Sequence, residues 1–353
     1  MKNDATRQRR AFLKAGLTAG TATAAAGLLG SNAIAGSAAE TPQPPAAATM
    51  PLRNLGRTGY KVGIFSLGGQ AAVEHANNEA AAVPIIERAL DLGVNYIDTS
   101  SIYGGPERWS ERYVGQVMKR RRSQAFLASK TKERTRDGSL RMLEQSLKLL
   151  NTDHLDLWQL HDIGEPEDVT AVFAKGGAME ALLQAREQKM VRYLGITGHF
   201  RPEPLIDALK RFRFDTILLA ANAADQFHYS FLDELLPLAV EQQLGIVGMK
   251  VPGRGRLLSN WTPPSLERQQ HSWEGAVIAN TPGPLTMREA MYYSLTLPVS
   301  TIIVGCDSVQ QLEENVQLAR HYTPLSERQM TAIAHRAEPV SKQALFFRFV
   351  SRA

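Results

Sequence analysis

From Leu52 onward, short apolar runs alternate with segments whose apolar residues recur at helical spacing, and this alternation restricts the folds open to the chain. The runs fall at 64–67, 94–97, 125–129, 155–160, 192–196, 216–220, 245–249 and 301–304. Between them lie helix-like stretches such as 81–92, 140–150 and 231–241; Leu140, Leu143, Leu147 and Leu150 follow the helical period. Strands separated by helices pair in parallel through right-handed crossovers. Eight such units predict an α/β fold, a closed (β/α)8 TIM barrel. An open doubly wound sheet is the competitor, but it needs a Gly-rich turn after its first strand, which Gly68-Gly69-Gln70 does not supply. Ahead of the first run, Leu55-Gly56-Arg57-Thr58-Gly59-Tyr60-Lys61-Val62 predicts a small N-terminal β-hairpin.

The first 35 residues have a different character. Gln8-Arg9-Arg10-Ala11-Phe12-Leu13-Lys14 precedes a weakly apolar stretch to Leu29, and Ala33-Ile34-Ala35 offers small residues suited to signal cleavage. That order resembles a twin-arginine (Tat) export signal, which implies the Tat machinery as a partner and a periplasmic or otherwise exported location. Residues 36–50, rich in Ala and Pro, read as a linker, 51–323 as the barrel, and 324–353 as a C-terminal extension packing on it.

Charge excludes some partners. Of the net +5, Lys2, Arg7, Arg9, Arg10 and Lys14 against Asp4 place +4 in the leader, so the body is nearly neutral and a nucleic-acid-binding face is not expected. No later run is long and apolar enough for a permanent membrane span. Cys306 is the only cysteine, so the chain holds no internal disulfide.

Barrels of this kind gather their chemistry at the C-terminal strand ends. Asp98 ends the second run with Tyr103 in the loop beyond it, Lys130 ends the third, and His161 ends the fourth. Each has a structural alternative: Asp98 as a turn cap, Tyr103 as rim packing, Lys130 as a solvated loop residue, His161 as a core histidine. Their placement on one rim favours a shared catalytic pocket.

Asn95-Tyr96-Ile97-Asp98-Thr99-Ser100-Ser101-Ile102-Tyr103-Gly104, Leu127-Ala128-Ser129-Lys130-Thr131 and Leu155-Asp156-Leu157-Trp158-Gln159-Leu160-His161 resemble, in order and spacing, motifs of the aldo-keto reductase family. Leu55-Gly56-Arg57-Thr58-Gly59 and Leu312-Glu313-Glu314-Asn315 also fit, so the resemblance covers residues 51–323. It implies an NAD(P)H-dependent oxidoreductase that reduces an aldehyde or ketone, or runs the reverse oxidation. Tyr103 would be the proton donor. Lys130 would lower the pKa of that phenol, Asp98 would hold the ammonium, and His161 would orient the carbonyl.

The resemblance also implies a nucleotide extended over the rim, contacted by Gly68, Gly69, Thr197, Gly198, His199, Asn222, Met249, Lys250, Val251, Arg254, Gly305, Gln311, Glu314 and Asn315. Several positions depart from the family's pattern. Gly198 stands where an Asn is usual, Met249 where an aromatic stacks on the nicotinamide, and Asn222 where a Gln is frequent. Gly305-Cys306-Asp307-Ser308 and Gln311 replace residues that commonly grip a 2′-phosphate. NADP is the implied cofactor, with NAD the alternative. Trp109, Phe200, Phe227, His228 and the 252–283 loop, with Trp261 and Trp273, are candidate walls of the substrate pocket. No His/Asp/Glu set beyond the tetrad suggests a metal. Two other functions are open to such a chain: a nucleotide-binding redox sensor with little turnover, and a barrel with unrelated hydrolytic chemistry.

Overall fold

The computed structural model describes residues 49–263 and 281–349. The leader, most of the linker, Trp273 and the last residues of the chain lie outside these. A two-stranded antiparallel sheet, β1 (Leu52–Asn54) and β2 (Lys61–Gly63), comes first. Its strands are set further apart than the sequence suggests, because Gly56–Thr58 winds into a 3-10 turn between them. Gly56 has φ +52°, and a Cβ there would meet Gly245 N at 2.2 Å, so the turn requires glycine twice over. Leu55 and Val62 are buried with Tyr96, Phe126, Leu157 and Val247.

Eight parallel strands close the barrel: β3 (Phe65–Gly68), β4 (Tyr96–Asp98), β5 (Phe126–Thr131), β6 (Leu155–Leu160), β7 (Val191–Gly198), β8 (Thr216–Ala220), β9 (Gly245–Met249) and β10 (Thr301–Val304). Neighbours in sequence are neighbours in space, and β10 returns to β3 with Ile302 opposite Phe65. Closure excludes the open-sheet alternative. β6, β8, β9 and β10 occupy the runs read from the sequence; the others differ by one or two residues, because pairing rather than side-chain type decides where a strand stops.

Helices follow the strands: α1 (Glu79–Asp91), α2 (Trp109–Arg121), α3 (Arg136–Leu149), α4 (Pro166–Phe173), α5 (Ala178–Glu187), α6 (Pro202–Arg211), α7 (Leu235–Glu241), α8 (Met287–Thr296), α9 (Val309–Arg320) and α10 (Glu327–Ala337). In α3 the Thr135 hydroxyl accepts from Gly138 N–H at the N-cap, and Leu143 is fully buried while Glu144 and Gln145 face water. Among the described residues no helix is long and apolar enough to cross a membrane.

After α10 a short helix, α11 (Ser341–Ala344), and the turn Phe346–Arg348 lie against the barrel. Arg348 makes a fully buried ion pair with Asp225 in the loop after β8, and its guanidinium stacks on Phe231 at 4.5 Å. Asp225 Oδ2 accepts in turn from Phe231 N–H at 2.9 Å and Leu232 N–H at 3.1 Å. The pair is therefore hydrogen-bonded on both sides, as a buried pair must be.

Candidate active site

Asp98 is the last residue of β4, Lys130 the penultimate residue of β5, and His161 directly follows β6. Adjacent parallel strands carry the three side chains to one rim, and the loop after β4 brings Tyr103 over them. Lys130, 0% exposed, donates from Nζ to Asp98 Oδ2, to Thr99 O at 2.7 Å and to Tyr103 Oη at 3.4 Å. Gln159 Nε2 donates to the other Asp98 oxygen at 3.3 Å. The Tyr103 ring stands edge-on to His161, with centroids 5.9 Å apart. The four predicted catalytic residues are thus a single contact group.

Burial governs their protonation. It pushes the Asp98 carboxyl up and the Lys130 ammonium down, while their ion pair opposes both shifts. Burial first, then the neighbouring Lys130 charge, holds His161 well below an ordinary imidazole, so the ring is neutral. Ser100 Oγ lies 3.0 Å from its Nδ1. Burial also lifts the Tyr103 hydroxyl well above its ordinary value, with the Asp98 and Glu74 carboxylates adding and Arg254 opposing.

A cavity of about 640 Å³ opens from Asp98 and Tyr103. Gly68 at the end of β3 and Gly69 beyond it line it, as do Met249, which ends β9, and Lys250, Val251 and Arg254 after it. Its far end is formed by Gly305, Gln311, Glu314 and Asn315, around the start of α9. Those ten predicted nucleotide contacts share one cleft. Gly305 is needed there, because a Cβ would crowd Gln70 O at 3.1 Å and the Ala71 methyl at 3.2 Å.

The remaining four do not line it. The Thr197 hydroxyl accepts from Asp162 N–H at 3.0 Å. Gly198 is pressed against Ile163, whose carbonyl would lie 2.5 Å from an added Cβ. His199 Nδ1 sits 2.9 Å from Asp162 Oδ1. The Asn222 amide donates to Lys250 O and its oxygen accepts from Ala224 N–H, both at 2.9 Å, so it shapes the loop after β9. His199 stays near the chemistry, its ring 6.1 Å from His161. Among the proposed walls, Trp261 lines the cleft, whereas Trp109 stacks on Tyr113 at 5.7 Å. Gln159, Glu74 and Asp307 were not singled out in the sequence. Gln159 was legible: two residues before His161, strand alternation turns it to the same face.

Among the described residues no group of three or more His, Cys, Asp or Glu side chains is arranged to hold a metal. Cys306 is buried beside this cleft, and burial pushes its thiol up to about 12. Asn315 Nδ2 lies 3.6 Å from its sulfur.

Comparison with known proteins agrees with this geometry. The model of the aldo/keto reductase family matches residues 61–338. L-galactose dehydrogenase of Arabidopsis thaliana is 29% identical over 297 residues, covering 75% of this chain and 86% of that protein. The oxidoreductase YqkF of Bacillus subtilis is 27% identical over 292 residues, covering 76% and 90%. A solved aldo-keto reductase from Bacillus halodurans, in its holo form, superposes with a TM-score of 0.66 at 26% identity, covering 82% of this chain and 97% of that one.

Proposed function

The chain belongs to the aldo/keto reductase family, and from that premise we propose that it interconverts a carbonyl and an alcohol on a nicotinamide nucleotide, with Tyr103 as the proton donor. The observation that carries this is Lys130 Nζ, which bonds both Asp98 and Tyr103 Oη at one end of the cleft. The cleft suits such a cofactor: its volume falls in the range of ligand pockets, and Lys250 and Arg254 offer cations to a pyrophosphate. When bound, the reduced nicotinamide supplies hydride to the carbonyl carbon.

The rest is done by the chain's own residues. As charge develops on the substrate oxygen, Tyr103 Oη gives up the proton that burial has kept on it. The tyrosinate left behind lies against the Lys130 ammonium, 3.4 Å away, which makes the transfer affordable. Asp98, braced by Gln159, keeps that ammonium in place. In the tautomer where Ser100 Oγ donates to Nδ1 across their 3.0 Å contact, neutral His161 carries its proton on Nε2 and presents it to the same oxygen. Tyr103→Phe tests this: carbonyl turnover should fall by about 10²–10⁴ while fluorescence titration shows nucleotide binding intact. Unchanged turnover would remove Tyr103 from the role.

We also propose that residues 1–35 direct export by the twin-arginine route, on the strength of the motif order in the leader. Replacing Arg9 and Arg10 together by Lys should retain the protein in the cytoplasmic fraction of a Tat-competent bacterial host. Equal export of both forms would count against it.

A further inference from the structure

We propose that this cleft selects the nucleotide lacking a 2′-phosphate, NAD(H) over NADP(H), through carboxylates at its far end. The inference rests on the reading of the cleft as a nicotinamide-nucleotide site, and it reverses the NADP assignment that the family resemblance implies.

Charge placement is the first argument. Among the described residues lining the cleft, the Lys and Arg side chains are Lys250 and Arg254. Both follow β9 rather than β10. Arg254 acts electrostatically on Tyr103, and Lys250 acts on His199 and lies 5.8 Å from the Phe347 ring. Around β10 and α9 the charged lining residues are Asp307 and Glu314, both exposed. A 2′-phosphate carries about −1.5 to −2 charges at neutral pH, so this end repels it. A ribose 2′-hydroxyl, by contrast, can donate to a carboxylate. Among the described residues, no hydrogen bond or ion pair engages the Asp307 carboxylate, which leaves it able to accept.

The second argument is independent of charge. The start of a helix often grips phosphate through unpaired amides, and α9 begins at this point. Here part of that donor set is already used. Ser308 Oγ accepts from Gln311 N–H at 3.2 Å, and Gln311 Oε1 accepts from Asp307 N–H at 2.8 Å. Gln311 stands where the family often places an arginine, and its side chain is turned back to cap the loop. A phosphate arriving here would meet two carboxylates, with the Asp307 and Gln311 amides already bonded.

Calorimetric titration of the full chain with NADH and with NADPH decides the matter. NADH should bind at least about tenfold tighter, roughly 1.4 kcal/mol, with the gap narrowing as salt is raised, because the repelling groups are exposed. Asp307→Lys combined with Gln311→Arg should close or reverse that gap, chiefly by tightening NADPH. Equal or tighter NADPH binding by the parent chain overturns the selectivity while leaving the oxidoreductase reading intact. Failure of both nucleotides to bind overturns that reading itself. A double variant that binds NADPH no better than the parent, with NADH binding retained, removes these two positions as the cause.

Discussion

At the β4–β6 end of the cleft, Lys130, Asp98 and His161 are buried, and Lys130 and Asp98 bond directly to each other. At the β10–α9 end, Asp307, Gln311 and Glu314 are exposed and held by a helix cap and neighbouring side chains. The contrast separates chemistry from selectivity. A buried ion pair tolerates no single replacement, since losing one partner strands the other charge out of water. An exposed position can change without unfolding anything, so the proposed selectivity lies where substitution is cheapest. The family's motifs are accordingly matched around Asp98, Tyr103, Lys130 and His161 and departed from at Gly305 and Gln311.

The sharpest attempt to break this contrast is Lys130→Met. It should abolish measurable turnover and, by leaving Asp98 buried and unpaired, lower stability by about 3–5 kcal/mol, read from urea midpoints. A near-native midpoint would mean that water already reaches Asp98. Arg348→Met asks whether burial alone, in a pair separate from Lys130 and Asp98, has the same consequence. Asp225 then loses its guanidinium, and a comparable loss of stability is expected by the same principle, about 3–5 kcal/mol, with the C-terminal segment opening to protease. If only the catalytic pair proves costly, burial is not the explanation.

The mildest case is the Glu289–Arg336 bridge between α8 and α10, where half-exposed groups also share a capping box with Thr286. Hydrogen bonding to Arg336 lowers the Glu289 carboxyl to about 2 from an ordinary 4.5. Its contribution is present above pH 4.5 and fades as pH falls toward 2, because the unfolded chain takes up the proton first. Solvent screening limits the effect of Glu289→Gln to about 1 kcal/mol or less. The variant and parent should converge in thermal melts as pH drops through that window.

How much of this was legible beforehand follows the same division. Strand and helix alternation gave the barrel, because parallel strands buried on both faces must read as apolar runs. The gathering of Asp98, Tyr103, Lys130 and His161 on one rim was legible because each sits at a fixed offset from such a run. Asn222 and Thr197 were less so: an amide or hydroxyl after a strand can face a ligand or its own loop, and only the backbone path shows that both bond their neighbours. The surroundings of the Tyr103 hydroxyl were hidden in another way, since composition reveals a nearby cation but not the depth of desolvation. Gln311 was visible as a departure, yet its inward turn onto Asp307 N–H was not.

Cys306 has a practical consequence. The chain's one thiol is buried and held at about 12, so it remains protonated and shielded at ordinary working pH. A cysteine introduced on the surface would be the sole nucleophile open to a maleimide. Reporter dyes could then be attached at chosen sites, one at a time, on an otherwise natural background.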